Sequence, residues 1–217
     1  MNRQGLTELF DAHAAELAPH LLGCELTVTT ARGSVTVRLT EVEAYGDQGE
    51  DPGAHGFRGK TARNASLFGP PRHTYIYQSY GIHYCLNLTA YEAGAGGVLL
   101  RAGEVISGRE LAVERRGGRD NGAKLLSGPG RLGQGLGVTL SMDGSRLHIA
   151  EAGCAPGPDQ EARFVLTPAA HSSVGVTRSG PRVGVSGVGG SRQFPWRFWI
   201  DADRSVSAYR PGRNVPE

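Results

Sequence analysis

Glu41-Val42-Glu43-Ala44-Tyr45 decides how this chain is read, because it ends a run whose alternate positions Val35, Val37 and Leu39 carry the aliphatic side chains of a strand. Side chains on a strand alternate between faces, so an unbroken register aims Glu41, Glu43 and Tyr45 the same way as those aliphatics. A carboxylate is costly to bury without a partner or a task. A bulge after Leu39 gives the opposite result, with Val42 and Ala44 turned inward and both glutamates left in water. The pentapeptide alone leaves both registers open.

Upstream, Leu26 to Thr30 and Ser34 to Ala44 read as a hairpin turning at Ala31-Arg32-Gly33. Before it, Leu6 to Leu22 carries Leu6, Leu9, Phe10, Ala14, Leu17 and Leu21 at helical spacing, which predicts one packing helix with Thr7 as N-cap and Gly23 as stop. Downstream, a loop rich in Gly, Asp and Pro runs from Gly46 to Pro71, followed by strands over Thr74 to Gln78, His83 to Thr89 and Gly97 to Arg101. Glu104 to Arg116 and Arg131 to Leu136 read as helices, and the remainder as strands between Gly and Pro, ending near Trp199. The pattern predicts an α+β fold: a single domain over residues 1–217, with a curved, mostly antiparallel sheet and helices packed on the outside.

The 33 glycines and modest aromatic content agree with many turns and short strands rather than a helical bundle. Cys24, Cys85 and Cys154 are odd in number, far apart and without metal-ligand spacing, so they read as free thiols in a reducing compartment. Neither a metal nor a disulfide framework is expected, and no cofactor is called for. No stretch is both long and apolar enough to cross a membrane, and the first residues lead into no signal-peptide core, so a cytoplasmic protein is expected. A net charge of +2 argues only weakly about nucleic acid. Its distribution is uneven: residues 1–60 hold five Lys+Arg against nine Asp+Glu, and residues 171–217 seven against three. A basic face toward phosphates is therefore possible in the C-terminal part.

The loop after the pentapeptide holds His55, Arg58, Lys60, Arg63 and Asn64. A lone loop histidine is ordinarily solvated. In Tyr75-Ile76-Tyr77 the period of two puts both tyrosines on one face, and Tyr80-Gly81 marks a turn. Strand tyrosines commonly fill a core or sheet surface. A carboxylate, a histidine and tyrosines from successive elements are also what a slot for a planar ring requires.

Taken in order, these residues resemble the alkyladenine (3-methyladenine, methylpurine) DNA glycosylases. The likeness runs through Glu41-Val42-Glu43-Ala44-Tyr45, Ala54-His55, Thr61-Ala62-Arg63-Asn64, Phe68-Gly69-Pro70, Tyr75-Ile76-Tyr77, Tyr80-Gly81, Asn87, Leu99-Leu100-Arg101-Ala102 and Ser127-Gly128-Pro129. It continues in Arg182-Val183-Gly184-Val185 and Pro195-Trp196-Arg197-Phe198, and spans roughly residues 10–210. Each fragment is weak; their ordered combination is specific. The resemblance implies that Glu43 activates the attacking water and Arg101 helps hold it, and that Tyr45, His55 and Tyr77 sandwich the extruded base. It implies further that Tyr80 fills the vacated space in the duplex and that Asn87 crowds out the exocyclic amine of guanine. Glu41 takes no catalytic role from it and is expected to be an ion-pair partner. The implied partner is double-stranded DNA containing damaged purines, bound by a monomer with no membrane involved.

These residue types suit that chemistry. Cleaving an N-glycosylic bond builds positive charge on the sugar, which a carboxylate stabilises while it takes a proton from water. Tyrosine faces favour electron-poor alkylated purines by about 0.5–2 kcal/mol per contact. Strand-nicking glycosylases need an amine, and only Lys60 and Lys124 are lysines, Lys60 alone lying near the motifs; plain hydrolysis is expected. Departures from the family pattern are His83 in place of an aromatic and the polar pair Gln78-Ser79, and no long basic N-terminal extension of the kind some relatives carry is expected. Two other readings compete: a noncatalytic nucleic-acid-binding domain on the same scaffold, and a sugar hydrolase using Glu41 and Glu43 as an acid/base pair. Residues two apart on a strand project in parallel and do not flank a glycosidic bond from opposite sides.

Overall fold

A computed structural model describes residues 1–91, 93–151, 164–169 and 174–216. The strand that holds the pentapeptide, β2 (Gly33–Tyr45), is the spine of one sheet. It pairs antiparallel with β1 (Glu25–Thr30) over its first half, and with β5 (Gly96–Ser107) along its other edge. Past Leu39 its first edge changes partner to β9 (Arg197–Ile200), through Glu41↔Trp199, Val42↔Phe198 and Glu43↔Arg197. β3 (Thr74–Ser79) and β4 (His83–Ala90) extend the sheet beyond β5. On the far side β7 (Phe164–Thr167) pairs β1, β6 (Leu147–Ile149) runs parallel to β7, and β8 (Thr177–Gly180) pairs β9. The fold is α+β with a curled sheet, antiparallel at every described pairing except β6 with β7.

The change of partner and a bulge fall at the same place. The β2–β5 register slips between Leu39 and Glu41 and again between Glu41 and Val42. Thr40 bonds Ser205 at 2.7 Å and Glu41 bonds Ser207, so two consecutive side chains face the C-terminal segment, and the alternation inverts. Val35, Val37 and Leu39 then share the main core with Val42 and Ala44. An unbroken register is therefore overturned: the bulge exists, and the glutamates leave the aliphatic face. They do not enter water either, because the C-terminal segment covers them and both are fully buried.

One face of the sheet is covered by helices. α2 (Ala14–Leu21) packs on β2, and α4 (Pro129–Leu136) on β4 and β5, burying Leu17, Leu21, Leu132 and Leu136 against Val98, Leu100, Leu86 and Leu88. The single helix expected over Leu6–Leu22 is two, α1 (Arg3–Leu9) and α2. Asn2 caps the first, accepting from Gly5 N, and His13 caps the second, accepting from Ala15 N, whereas Thr7 lies inside α1 with its hydroxyl on Arg3 O. Gly23, at φ +79, follows the end of α2 as expected. The helix expected from Glu104 begins later, as α3 (Arg109–Arg115). Glu104 remains in β5 because Arg38 of β2 grips it across the sheet at 2.8 and 3.0 Å. Cys24 and Cys85 are buried free thiols; Cys154 lies outside the described residues.

Candidate active site

The face of the sheet opposite the helices carries the functional side chains, and alternation puts them there. Where Val42, Leu100, Leu86 and Ile76 point into the core, their neighbours Glu43, Leu99 and Arg101, Cys85 and Asn87, and Tyr75 and Tyr77 point the other way. The register places Glu43, Leu99, Asn87 and Tyr75 in one row across β2, β5, β4 and β3. Above this face opens a cavity of about 550 Å³, walled by Pro52, Gly53 and His55 on one side and by Val183, Gly184 and Ser186 on another. Its size is that of a small-molecule site.

Glu43 forms no part of the cavity surface but stands directly behind three groups that do. One oxygen accepts from Val183 N at 2.6 Å; the other accepts from Tyr45 Oη at 3.0 Å and Arg101 Nη1 at 3.1 Å. Arg101 donates its Nε to Glu41 at 3.0 Å and Nη2 to Ser207 Oγ at 3.3 Å. Burial works against the Arg101 charge, but Glu43 and Glu41 more than restore it, so its pKa lies above the ordinary arginine value. Glu41 is the ion-pair partner expected, held by Arg101, by Arg197 Nε at 2.7 Å and by both the amide and the hydroxyl of Ser207. Among the described residues no buried side-chain nitrogen or oxygen lacks a hydrogen-bond partner.

Tyr45, His55 and Tyr77 all line the cavity. Burial, and secondarily the Glu43 charge, raises the Tyr45 pKa well above that of a free phenol, which keeps its hydroxyl a donor to Glu43. His55 Nδ1 and Tyr75 Oη are 2.8 Å apart, and the His55 ring meets Tyr77 edge to face with centroids at 4.5 Å. Desolvation of the ring, with the Arg63 cation adding to it, holds His55 below the ordinary histidine pKa. Burial pushes the Tyr75 hydroxyl up to about 12 and Tyr77 higher still. Asn87 is buried and donates Nδ2 to Tyr75 O at 2.9 Å, which fixes its amide at the cavity wall.

Tyr80 stands at the mouth, 93% exposed. It occupies the turn between β3 and β4, where Ile82 N bonds Ser79 O at 3.1 Å and Tyr80 and Gly81 take φ +50 and +71. Two successive left-handed residues suit a tight hairpin, and a tyrosine in that conformation is strained. Gln78 Nε2 clips the turn through Gly81 O at 2.7 Å, a use for one residue of the polar pair Gln78-Ser79.

The structure thus brings together all seven residues singled out in the sequence. It adds Tyr75, already visible in the period-two reading, and the arginines 182 and 197, which lay in matched segments without a role. Asp51, bidentate with Arg182 at 2.5 and 2.6 Å, gave no sequence signal. Of the seven basic residues after position 170, Arg182 and Arg197 are buried, and Arg178, Arg192, Arg204, Arg210 and Arg213 are exposed, Arg178 pairing with Asp201. No group of three or more His, Cys, Asp or Glu placed to hold a metal occurs among the described residues.

A model of the family described as Methylpurine-DNA glycosylase (MPG) matches residues 8–204. The chain belongs to that family. Methylpurine-DNA glycosylases are hydrolases of N-glycosyl bonds, and membership makes this chain an enzyme of that class. A Streptomyces avermitilis protein is 47% identical over 94% of this chain and 90% of its own length. One from Leifsonia xyli is 41% identical over 94% and 91%, and one from Cutibacterium acnes 43% identical over 92% and 97%. All three bear the name "Putative 3-methyladenine DNA glycosylase". No described helix is long and apolar enough to cross a membrane.

Proposed function

We propose that this methylpurine-DNA glycosylase acts as a monomeric, monofunctional enzyme in the cytoplasm. It binds duplex DNA, extrudes 3-methyladenine, 7-methylguanine, hypoxanthine or ethenoadenine into the cavity, and hydrolyses the glycosylic bond. The observation that carries the reading is the row Glu43, Leu99, Asn87, Tyr75 on one sheet face beneath a cavity with Tyr80 at its mouth. Glu43 and Asn87 are two strands apart, about 10 Å at ordinary spacing, which leaves room for a purine between a carboxylate and a selective amide.

In this mechanism Tyr80 enters the stack and occupies the space the nucleotide leaves, offsetting an extrusion cost of a few kcal/mol. Tyr45, His55 and Tyr77 hold the base, and neutral His55 adds no positive charge against an alkylated, cationic ring. Water enters beside Arg101 and Glu43, displacing the 3.0–3.1 Å contacts on one carboxylate oxygen while the 2.6 Å bond from Val183 keeps the other fixed. Glu43 takes the proton as water attacks the sugar carbon and the purine leaves with the bonding electron pair. No amine takes part: Lys60 is not on the cavity wall, and Lys124 Nζ donates to Val206 O.

Duplexes each carrying one of the four lesions, incubated with the enzyme and then cleaved with alkali, test the reading. Strand breaks at one or more lesions, with none before alkali and no borohydride-trapped adduct, are expected. DNA bound but never cleaved would favour a noncatalytic binding module.

A further inference from the structure

Arg182 is the largest fully buried side chain among the described residues, and the proposed hydrolytic step leaves it without a part. Its guanidinium forks onto both oxygens of Asp51, and also donates to Ala44 O at 2.9 Å and Gly189 O at 2.6 Å. The same group lies over the Tyr45 ring, 4.5 Å from its centroid, with Phe194 and Trp196 at 5.6 and 5.5 Å. Its chain neighbour Val183 supplies the amide bonded to Glu43. Asp51 in turn accepts from Gly46 N and Gly53 N at 3.0 and 2.9 Å, fixing the loop that walls the cavity. That loop presses on the arginine so closely that a Cβ on Gly53 would stand 2.6 Å from Arg182 Nη2.

An arginine in this place costs more than an apolar filler unless its geometry is used, because burying an ion pair gains little net stability. The planar fork is what lets one side chain engage a carboxylate edge-on and an aromatic ring face-on. We infer that Arg182 is a positioning residue for excision, fixing through its stack on Tyr45 where the base-binding ring and, by way of that ring's hydroxyl, the Glu43 carboxylate stand. The inference rests on the reading of Glu43 as general base and Tyr45 as a base-stacking face. Arg182 is not among the residues of the cavity wall.

A double-mutant cycle in the full chain separates positioning from mere scaffolding. Arg182→Lys keeps the charge opposite Asp51 and loses the planar fork; Tyr45→Leu removes the ring on which it lies. Single-turnover excision of hypoxanthine is read beside lesion-duplex affinity and thermal melting. Arg182→Lys is expected to slow excision about 10-fold in the wild-type background but less than about twofold in the Tyr45→Leu background, the non-additivity that contacting residues show. Equal losses in both backgrounds, or a folded Arg182→Lys protein as fast as wild type, overturn the inference. Should Arg182→Lys fail to fold, Asp51→Asn, which loosens the clamp but leaves the arginine, goes through the same cycle with a smaller loss expected in the same pattern. Glu43→Gln measured alongside keeps the two readings apart. Near-normal excision there removes the general base, while coupling between positions 182 and 45 still stands or falls on its own.

Discussion

The floor of the cavity and the tip of the β3–β4 hairpin are opposite solutions to placing a functional side chain. Glu43 is fully buried and held by an amide, a phenol and a guanidinium, so its position is over-determined. Tyr80 is almost wholly exposed on a strained turn and touches little of its own protein. A group that must meet a reacting atom within tenths of an ångström needs a rigid surround. A wedge needs reach, and its partners are the bases it will separate. The difference predicts that substitutions at the floor trade off stability and chemistry, whereas those at the tip alter DNA handling alone.

The sharpest way to break the contrast lies within the floor itself. Glu43→Gln keeps the shape and removes the proton acceptor, so single-turnover excision is expected to fall about 10²–10⁴-fold while lesion binding persists. Glu41→Gln strips Arg197 of its carboxylate and weakens the hold on Arg101, and should instead cost stability, by about 3–5 kcal/mol for a broken buried pair, read as a lower denaturation midpoint. An exchange of these two signatures would make Glu41 the base and empty the comparison.

At the tip, Tyr80→Ala should leave stability within about 0.5 kcal/mol of wild type, as exposed sites do. It should also reduce the extruded population about 10-fold, since the wedge offsets a few kcal/mol of unstacking. Fluorescence of 2-aminopurine beside the lesion measures the effect, and an unchanged signal would take Tyr80 out of the wedge role. Between the extremes stands Asn87, buried like Glu43 but facing the base like the tyrosines. Asn87→Ala should cost about 1 kcal/mol of stability through the lost bond to Tyr75 O. It should speed guanine excision opposite thymine by no more than about 10-fold, because a hole in a pocket discriminates modestly. No gain at all would deny the amide its selective role.

The two regions were unequally legible in the sequence. The tip announced itself, because Tyr75-Ile76-Tyr77 followed by Tyr80-Gly81 is a period-two run ending in a turn, and local chain geometry sets both. The floor was half visible: the pentapeptide showed that something must neutralise two carboxylates but not which face they take. That choice depends on the edge of β2 passing from β1 to β9, a contact between residues more than 150 positions apart. Separations of 131 and 156 positions likewise hid Asp51 with Arg182 and Glu41 with Arg197, since no local pattern marks an ion pair closed by the chain's last quarter. The split at Asp11-Ala12-His13 was hidden for a different reason: the apolar spacing runs on across it, and only the capping imidazole of His13 restarts the helix.

His55 joins the two regions and yields the smallest expected effect. Its ring is desolvated against Tyr77 and Tyr75 and repelled as a cation by Arg63, so its folded pKa lies below the ordinary value. Between that lowered value and about 6.5 the unfolded chain binds more protons than the folded one, so stability rises with pH through this window. The contribution is complete above the unfolded pKa and is lost as pH falls through the folded one. Chemical denaturation at pH 7.5 and 5.5 should therefore show wild type losing more stability on acidification than His55→Gln, which has no proton to take up. Identical pH dependence in the two proteins would mean an imidazole as well hydrated as a free one. The slot would then be wet between hairpin and floor, and the tyrosine packing around His55 would not be what keeps a base stacked there.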